Sequence, residues 1–345
     1  PGDAIRYGSA SVRFGGSGWD GTALAAAVID GRPVRSRVVR LEEYGEGDAP
    51  ATAVGEDLFV EALLTELADG GELVVYVPGF NETFDALLRR VAESSYFLGG
   101  EATVVMYGWP AHSHPFAYSM DRRRARESAP VFREFLSVLA ERVDPGRIHL
   151  VTSSAGAPVV SAALASMRAE FEGMAPAEVR ERTRIGEVVF AASDQDSGEF
   201  FEMLGSGAAA MAEHITVYAS GDDLGLVLTR HLGSGDITIG RLPAHMGEAE
   251  AADLRAHADL VTVVDATGAS RLAGRGGIWA HSYWFRNPWV NTDLLGVLRH
   301  RLDPARRALA PTRDGALWEF PADYPDKLFG RMRACELAPG TDLAK

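Results

Sequence analysis

The chain has 345 residues, with 48 acids against 34 bases, a net charge of −14 and one cysteine. The acidic balance argues against sequence-independent binding of nucleic acid, and the lone Cys335 excludes an internal disulfide. With 46% hydrophobic and 24% charged residues the chain is neither disordered nor a coiled coil, and no apolar run reaches the length of a membrane span. No basic-then-apolar start marks a signal peptide, so a cytoplasmic location is expected.

Two segments with alternating character, 5–14 and 35–44, predict an antiparallel pair ahead of the main body. The Gly-, Asp- and Ala-rich stretch 45–55 predicts a loop. Six short, β-branched apolar runs then predict buried strands: 72–77 (ELVVYV), 102–107 (ATVVMY), 147–152 (RIHLVT), 187–192 (EVVFAA), 214–219 (HITVYA) and 260–265 (LVTVVD). They are continuously apolar, which is what a sheet covered on both faces requires. Helical spacing fills 81–98, where Phe84, Leu87, Leu88 and Val91 share a face. It also fills 118–143, behind an arginine-rich first half, and 158–171. Strands alternating with helices predict an α/β fold: a mostly parallel sheet flanked by helices, with an N-terminal antiparallel extension. Residues 1–55 read as edge strands and loop of the same domain, 56–302 as its core, and 303–345 as a C-terminal tail packed on that core.

The most informative stretch is 148–160, IHLVTSSAGAPVV, where a buried strand runs into small residues and then a helix. That layout is a nucleophile elbow, in which a sharp turn lifts one serine above the carboxyl edge of the sheet. Ser154 fits the nucleophile position, Ala155 and Gly156 allow the strand and helix to approach, and Pro158 suits a first helical turn. Thr152 stands where the usual pattern has its first glycine, and Ser153 is the rival serine.

A serine nucleophile needs a base, and the base needs an acid to hold its tautomer. Six of nine histidines follow the elbow. His281 lies after the last apolar run, within AHSYWFRNP, and is the expected base. Asp223, in SGDDLG, and Asp194 and Asp196, in AASDQDSG, all follow strands, and position alone leaves the acid open among them. For the oxyanion, the turn VPGF after ELVVYV offers the backbone N–H of Phe80, and the elbow offers that of Ala155. Trp109, His112 and Trp284 are the expected substrate-lining side chains. His112 and His114 stand two apart with no carboxylate or cysteine pattern to complete a metal site, so no metal is expected. The run Arg122 to Arg124 with Arg126 reads as a solvated helix face, and 268–277 (GASRLAGRGG) as a flexible connection. No cofactor signature is present.

YGSASVRF, VPGFNETF, YGWP, YSMDRRRA, VTSSAGAPVV, FAASDQD, YASGDDLGL and HSYWFRNP follow one another in this order over roughly residues 5 to 300. The set resembles the α/β-hydrolase fold, and more narrowly a bacterial branch catalogued as domain of unknown function nine hundred. The resemblance implies a triad of Ser154, Asp223 and His281, because the family's S-x-x-D-x-A-L segment falls on Ser220 to Leu226. This chain departs from the family at Pro78, where histidine is usual, at Ser153 and Ala155, where histidine and methionine are usual, and at Gly225, where alanine is usual. The expected activity is that of a serine hydrolase on a small-molecule ester or related acyl bond. An acyltransferase using the same triad, and a catalytically silent fold used for binding, are the alternatives.

Overall fold

Apolar runs that alternate with amphipathic helices bury both of their faces when they form a parallel sheet between two helical layers. The computed structural model has that arrangement, and describes residues 5–15, 36–44, 51–68, 70–80, 83–97, 103–112, 117–229, 237–272, 281 and 283–336.

The chain opens with β1 (Gly8–Phe14) and β2 (Ser36–Glu43), an antiparallel pair that forms its own two-stranded sheet. Ser36 Oγ donates to Glu93 on the second helix at 2.8 Å, and buried Tyr7 sets its ring against Phe59 and Phe135. Helix α1 (Ala51–Glu66) begins inside the stretch read as a loop. Alanine-rich sequence favours the helix there, and burial of Phe59, Val60 and Leu63 holds it.

Next come β3 (Glu72–Val77), α2 (Phe84–Phe97) and β4 (Thr103–Met106). The single helix expected over 118–143 is instead α3 (Tyr118–Glu127) and α4 (Ala129–Val138), the latter widening into one π turn that ends at Val143. Pro130 has no N–H to offer the carbonyl of Arg126, so the ladder breaks at Ser128. Ser128 Oγ instead caps the carbonyl of Arg124 at 2.8 Å. There follow β5 (Arg147–Ser153), α5 (Ala157–Glu170), α6 (Pro176–Thr183), β6 (Ile185–Ala191), α7 (Ser197–Gly205), β7 (His214–Ala219) and α8 (Leu224–Thr229). Then come α9 (Glu248–Ala256), β8 (Val261–Asp265) and α10 (Pro288–His300). Beyond residue 303 the chain adds two strands to the main sheet, β9 (Ala310–Thr312) and β10 (Leu317–Glu319), before α11 (Tyr324–Glu336). At three residues each, these strands are too short to leave a periodic pattern.

The main sheet has eight strands in the order β4-β3-β5-β6-β7-β8-β10-β9, parallel throughout except for β9 against β10. Alternate residues feed two cores. Leu73, Val75, Ile148 and Leu150 join the core that also holds residues of α1, α4 and α5, while Val74, Tyr76 and Val151 join that of α10 and α11. From β3 the chain moves out to β4, then returns past β3 to β5 and continues the other way. The direction of travel across the sheet therefore reverses between β3 and β5, which makes their adjacent carboxyl ends the topological switch point of the sheet. Among the described residues no helix is long and apolar enough to cross a membrane.

Candidate active site

The loops at that switch point are VPGF and the elbow. β5 ends at Ser153 with an extended backbone, φ −129° and ψ 146°, and Ser154 then turns into the left-handed region at φ 50°. A non-glycine residue there costs about 1–2 kcal/mol, which the packing around it must supply. Gly156 allows the turn to close: a Cβ on it would stand 2.4 Å from the carbonyl oxygen of Pro78 and 2.6 Å from that of Val77. Gly79 makes the matching approach from the β3 side, where a Cβ would lie 3.0 Å from Ser154 Cβ and 3.6 Å from its Oγ. The β3 loop thus presses its backbone onto the serine.

The two serines part company at this turn. Ser153 Oγ shares a hydrogen bond with the Tyr76 hydroxyl at 3.0 Å, on the side of the sheet where Trp284 lies against Tyr76 with ring centroids 5.8 Å apart. Ser154 Oγ makes no hydrogen bond among the described residues, to His281 or to any other group. Ala155 is fully buried behind it.

Each candidate acid has a distinct partner. Asp196 caps α7 by accepting from the backbone N–H of Glu199 at 2.9 Å. Asp194 accepts from the Tyr118 hydroxyl. Asp223 is fully buried and meets His281, whose Nδ1 lies 2.9 Å from Oδ2 and 3.1 Å from Oδ1. Asp223 also accepts from the N–H of Leu226 at 3.1 Å, so it caps α8 with the same carboxylate. That cap fixes its rotamer, and through it the imidazole. Burial alone lowers the basicity of His281, but the charge and hydrogen bond of Asp223 outweigh burial and raise its pKa above the ordinary value, with Asp194 adding in the same direction. Gly225, in the first turn of α8, leaves the room: a Cβ there would stand 2.7 Å from His281 Cγ and 2.8 Å from its Cβ.

The segment after His281 is pinned over the strand ends. The Tyr283 hydroxyl donates to the carbonyl of Tyr218 on β7 at 2.7 Å, and Trp284 is buried against Tyr76 of β3. On the other flank, Trp109 is buried and its indole N–H donates to the carbonyl of Pro78 at 2.7 Å, which tethers the β3 loop. His112 is held by Asp121: its backbone N–H and Nδ1 both reach that buried carboxylate, the ring at 2.8 Å. Phe80 lies against the ring of Tyr118, centroids 5.3 Å apart. The other described histidines serve elsewhere: His257 bonds its own helix at the Asp253 carbonyl, and His214 sits at the opposite end of the sheet. His114, His231, Asn81, Trp279 and residues 273–277 lie outside the described residues, as does the end of the tail from 337, while residues 268–272, read as part of a flexible connection, belong to a short helix, Thr267–Leu272. Among the described residues no group of three His, Cys, Asp or Glu could hold a metal ion.

Sequence reasoning assigned no role to Tyr118, Thr229 or Ala192. The Tyr118 hydroxyl donates to Asp194, and the Thr229 hydroxyl donates to the carbonyl of Leu226 within its own helix at 3.1 Å. Ala192 takes a left-handed φ of 46° directly after β6. YSMDRRRA marks Tyr118 only as part of a motif; no residue type there announces a partner 76 positions away.

A family model described as an alpha/beta hydrolase of unknown function (DUF900) matches residues 56–298, well over half of the chain, and the chain belongs to that family. No curated protein matches it.

Proposed function

We propose that this member of the α/β-hydrolase family is a serine hydrolase that cleaves a small-molecule ester, or a related acyl bond, through an acyl-enzyme on Ser154. The observation that carries this reading is the left-handed backbone of Ser154 at the same sheet edge as the Asp223–His281 pair. A strained serine beside a carboxylate-held imidazole is the arrangement that acyl transfer needs.

In this reading His281 Nε2 takes the proton of Ser154 Oγ as that oxygen attacks the substrate carbonyl. Asp223 holds Nδ1–H and stabilises the imidazolium that forms. The N–H groups of Phe80 and Ala155 receive the oxyanion, which the close approach of Gly79 to Ser154 favours. The imidazolium returns its proton to the leaving alcohol, giving the acyl-enzyme. His281 then activates a water, and its attack releases the acid and restores the serine. The serine–histidine hydrogen bond closes when substrate is bound, as such contacts commonly lengthen in free enzymes. With an alcohol or amine in place of water the same steps make an acyltransferase.

The test is intact-mass measurement after treatment with a fluorophosphonate, on the wild type and on Ser154→Ala. One adduct on the wild type, absent from the variant, supports an activated Ser154. A folded wild type that takes up no phosphonate overturns the reading and favours the silent, binding fold.

A further inference from the structure

Asp194 is 1% exposed, and burial of a carboxylate is unfavourable unless its oxygens are bonded. Oδ2 accepts from Tyr118, but Oδ1 has no partner among the described residues. The turn that delivers it is strained as well: β6 ends, and Ala192 enters the left-handed region at φ 46° although no helix end calls for it. The backbone N–H of Asp194 then donates to the carbonyl of Ser154 at 3.2 Å. Two strained turns on neighbouring strands are therefore joined by one hydrogen bond, and one of them carries the serine.

We propose that Asp194 is a positioning residue of this site: its backbone N–H braces the elbow at Ser154, and its buried carboxylate adds its negative field to that of Asp223 at His281. The proposal rests on the serine-hydrolase reading for its consequence in activity, though not for the interaction with His281. Asp194 does not touch substrate. Its work is to keep the elbow in its left-handed turn and to make the imidazole a stronger base.

The electrostatic setting fits. Burial pushes the Asp194 carboxyl up to about 6, against the pull of the Tyr118 hydroxyl and of the Arg122 and His281 charges, while Asp223 pushes it further up. Arg90, near His281, opposes the two carboxylates. Each charge acts on the other group: Asp194 raises His281, and His281 lowers Asp194. While the Asp194 carboxylate is ionised it favours the imidazolium; when it is protonated that support is withdrawn.

The experiment measures fluorophosphonate labelling of Ser154 from pH 5 to 9, and NMR titration of His281, in the wild type, Asp194→Asn and Tyr118→Phe. Asn keeps the shape of the side chain and removes the charge. The His281 titration and the acid limb of labelling should both fall by about 0.5–1 unit, less than the 1–3 units typical of a charge in direct contact. Labelling on the alkaline plateau should slow about tenfold, because a weaker base removes the proton less readily. Tyr118→Phe strips the carboxylate of its donor, favours its neutral form, and should move both curves the same way. If Asp194→Asn fails to fold, Tyr118→Phe carries the test. Labelled variants with unshifted His281 titration overturn the proposal and leave the hydrolase reading intact. An unlabelled wild type whose His281 titration still falls in Asp194→Asn overturns the hydrolase reading and leaves the second carboxylate at His281 in place.

Discussion

The two ends of the sheet carry the same residue types and use them differently. At the amino end, His149 on β5 bonds Glu72 through Nε2 at 3.2 Å and accepts the Glu187 N–H through Nδ1 at 3.0 Å. His214 on β7 meets Glu187 through Nδ1 at 3.3 Å and Thr262 through Nε2 at 3.1 Å. Both rings are saturated. At the carboxyl end His281 spends one nitrogen on Asp223, and no hydrogen bond of the other is formed among the described residues. Ser154 Oγ and Asp194 Oδ1 are likewise unbonded there. Backbone strain divides the same way. Asp144 and Arg184, left-handed ahead of β5 and β6, simply close helices as C-caps, whereas Ser154 and Ala192 end strands and have no such excuse. Histidines with carboxylates mark both ends; among the described residues, an unbonded carboxylate oxygen beside an imidazole with a free nitrogen, and left-handed turns that belong neither to a helix cap nor to the β9–β10 hairpin at Arg313 and Asp314, mark the carboxyl end.

The strongest test of this division is Asp223→Asn. Asparagine caps a helix about as well as aspartate, so α8 should stay in place and stability should change by less than about 1 kcal/mol. Activity on an ester should nevertheless fall about 10⁴-fold, since the amide presents the wrong partner to Nδ1–H. Thermal unfolding beside kcat/KM separates the two effects. A parallel loss of both would make Asp223 an ordinary structural cap, no different in kind from Asp196.

Gly225→Ala asks how closely the imidazole must be placed. The new Cβ would come within 2.8 Å of two His281 carbons, so the ring must shift. A displacement near 1 Å costs on the order of 10²-fold in rate, read as kcat/KM with the fold intact by circular dichroism. Unchanged activity would mean that His281 works from another position.

The parallel sheet was readable because continuous apolar runs and turn residues report burial locally, and the limits of β3 and β7 agree with the runs ELVVYV and HITVYA. β9 and β10 were not, since they are held by pairing with β8 rather than by their own pattern. The site divides similarly. A serine between a strand and small residues is a local signal. Asp223 could be chosen over Asp194 only by resemblance, because which carboxylate meets an imidazole 58 residues later is a matter of packing. Tyr118 and Ala192 left no trace, since one acts through a distant partner and the other through a dihedral angle.

At the saturated end the expected losses are in stability and not in rate. His149→Ala leaves the Glu187 N–H without its acceptor and should cost about 1–3 kcal/mol. Phosphonate labelling at Ser154 should proceed at the wild-type rate at a temperature where the variant is folded. A slowed reaction would show that the two ends are coupled.

The smallest effect belongs to Glu72, which receives His149 and Arg301 at the lip of the same end. Burial raises its pKa, but the hydrogen bond from His149, with the charges of Arg301 and Arg147, pulls it below the ordinary 4.5. A carboxylate with a depressed folded pKa contributes stability that is present above its unfolded pKa and lost as pH falls through the folded one. Glu72→Gln removes that contribution at neutral pH, where the half-exposed pair is worth at most about 1 kcal/mol, so Tm should drop by about 1–3 °C. As pH falls below 4.5 the wild type gives up the same contribution, and the two melting curves should converge. Curves that stay parallel down to the acid transition would mean that Glu72 gains nothing from its partners. The saturation of this end would then rest on His149 and His214 alone.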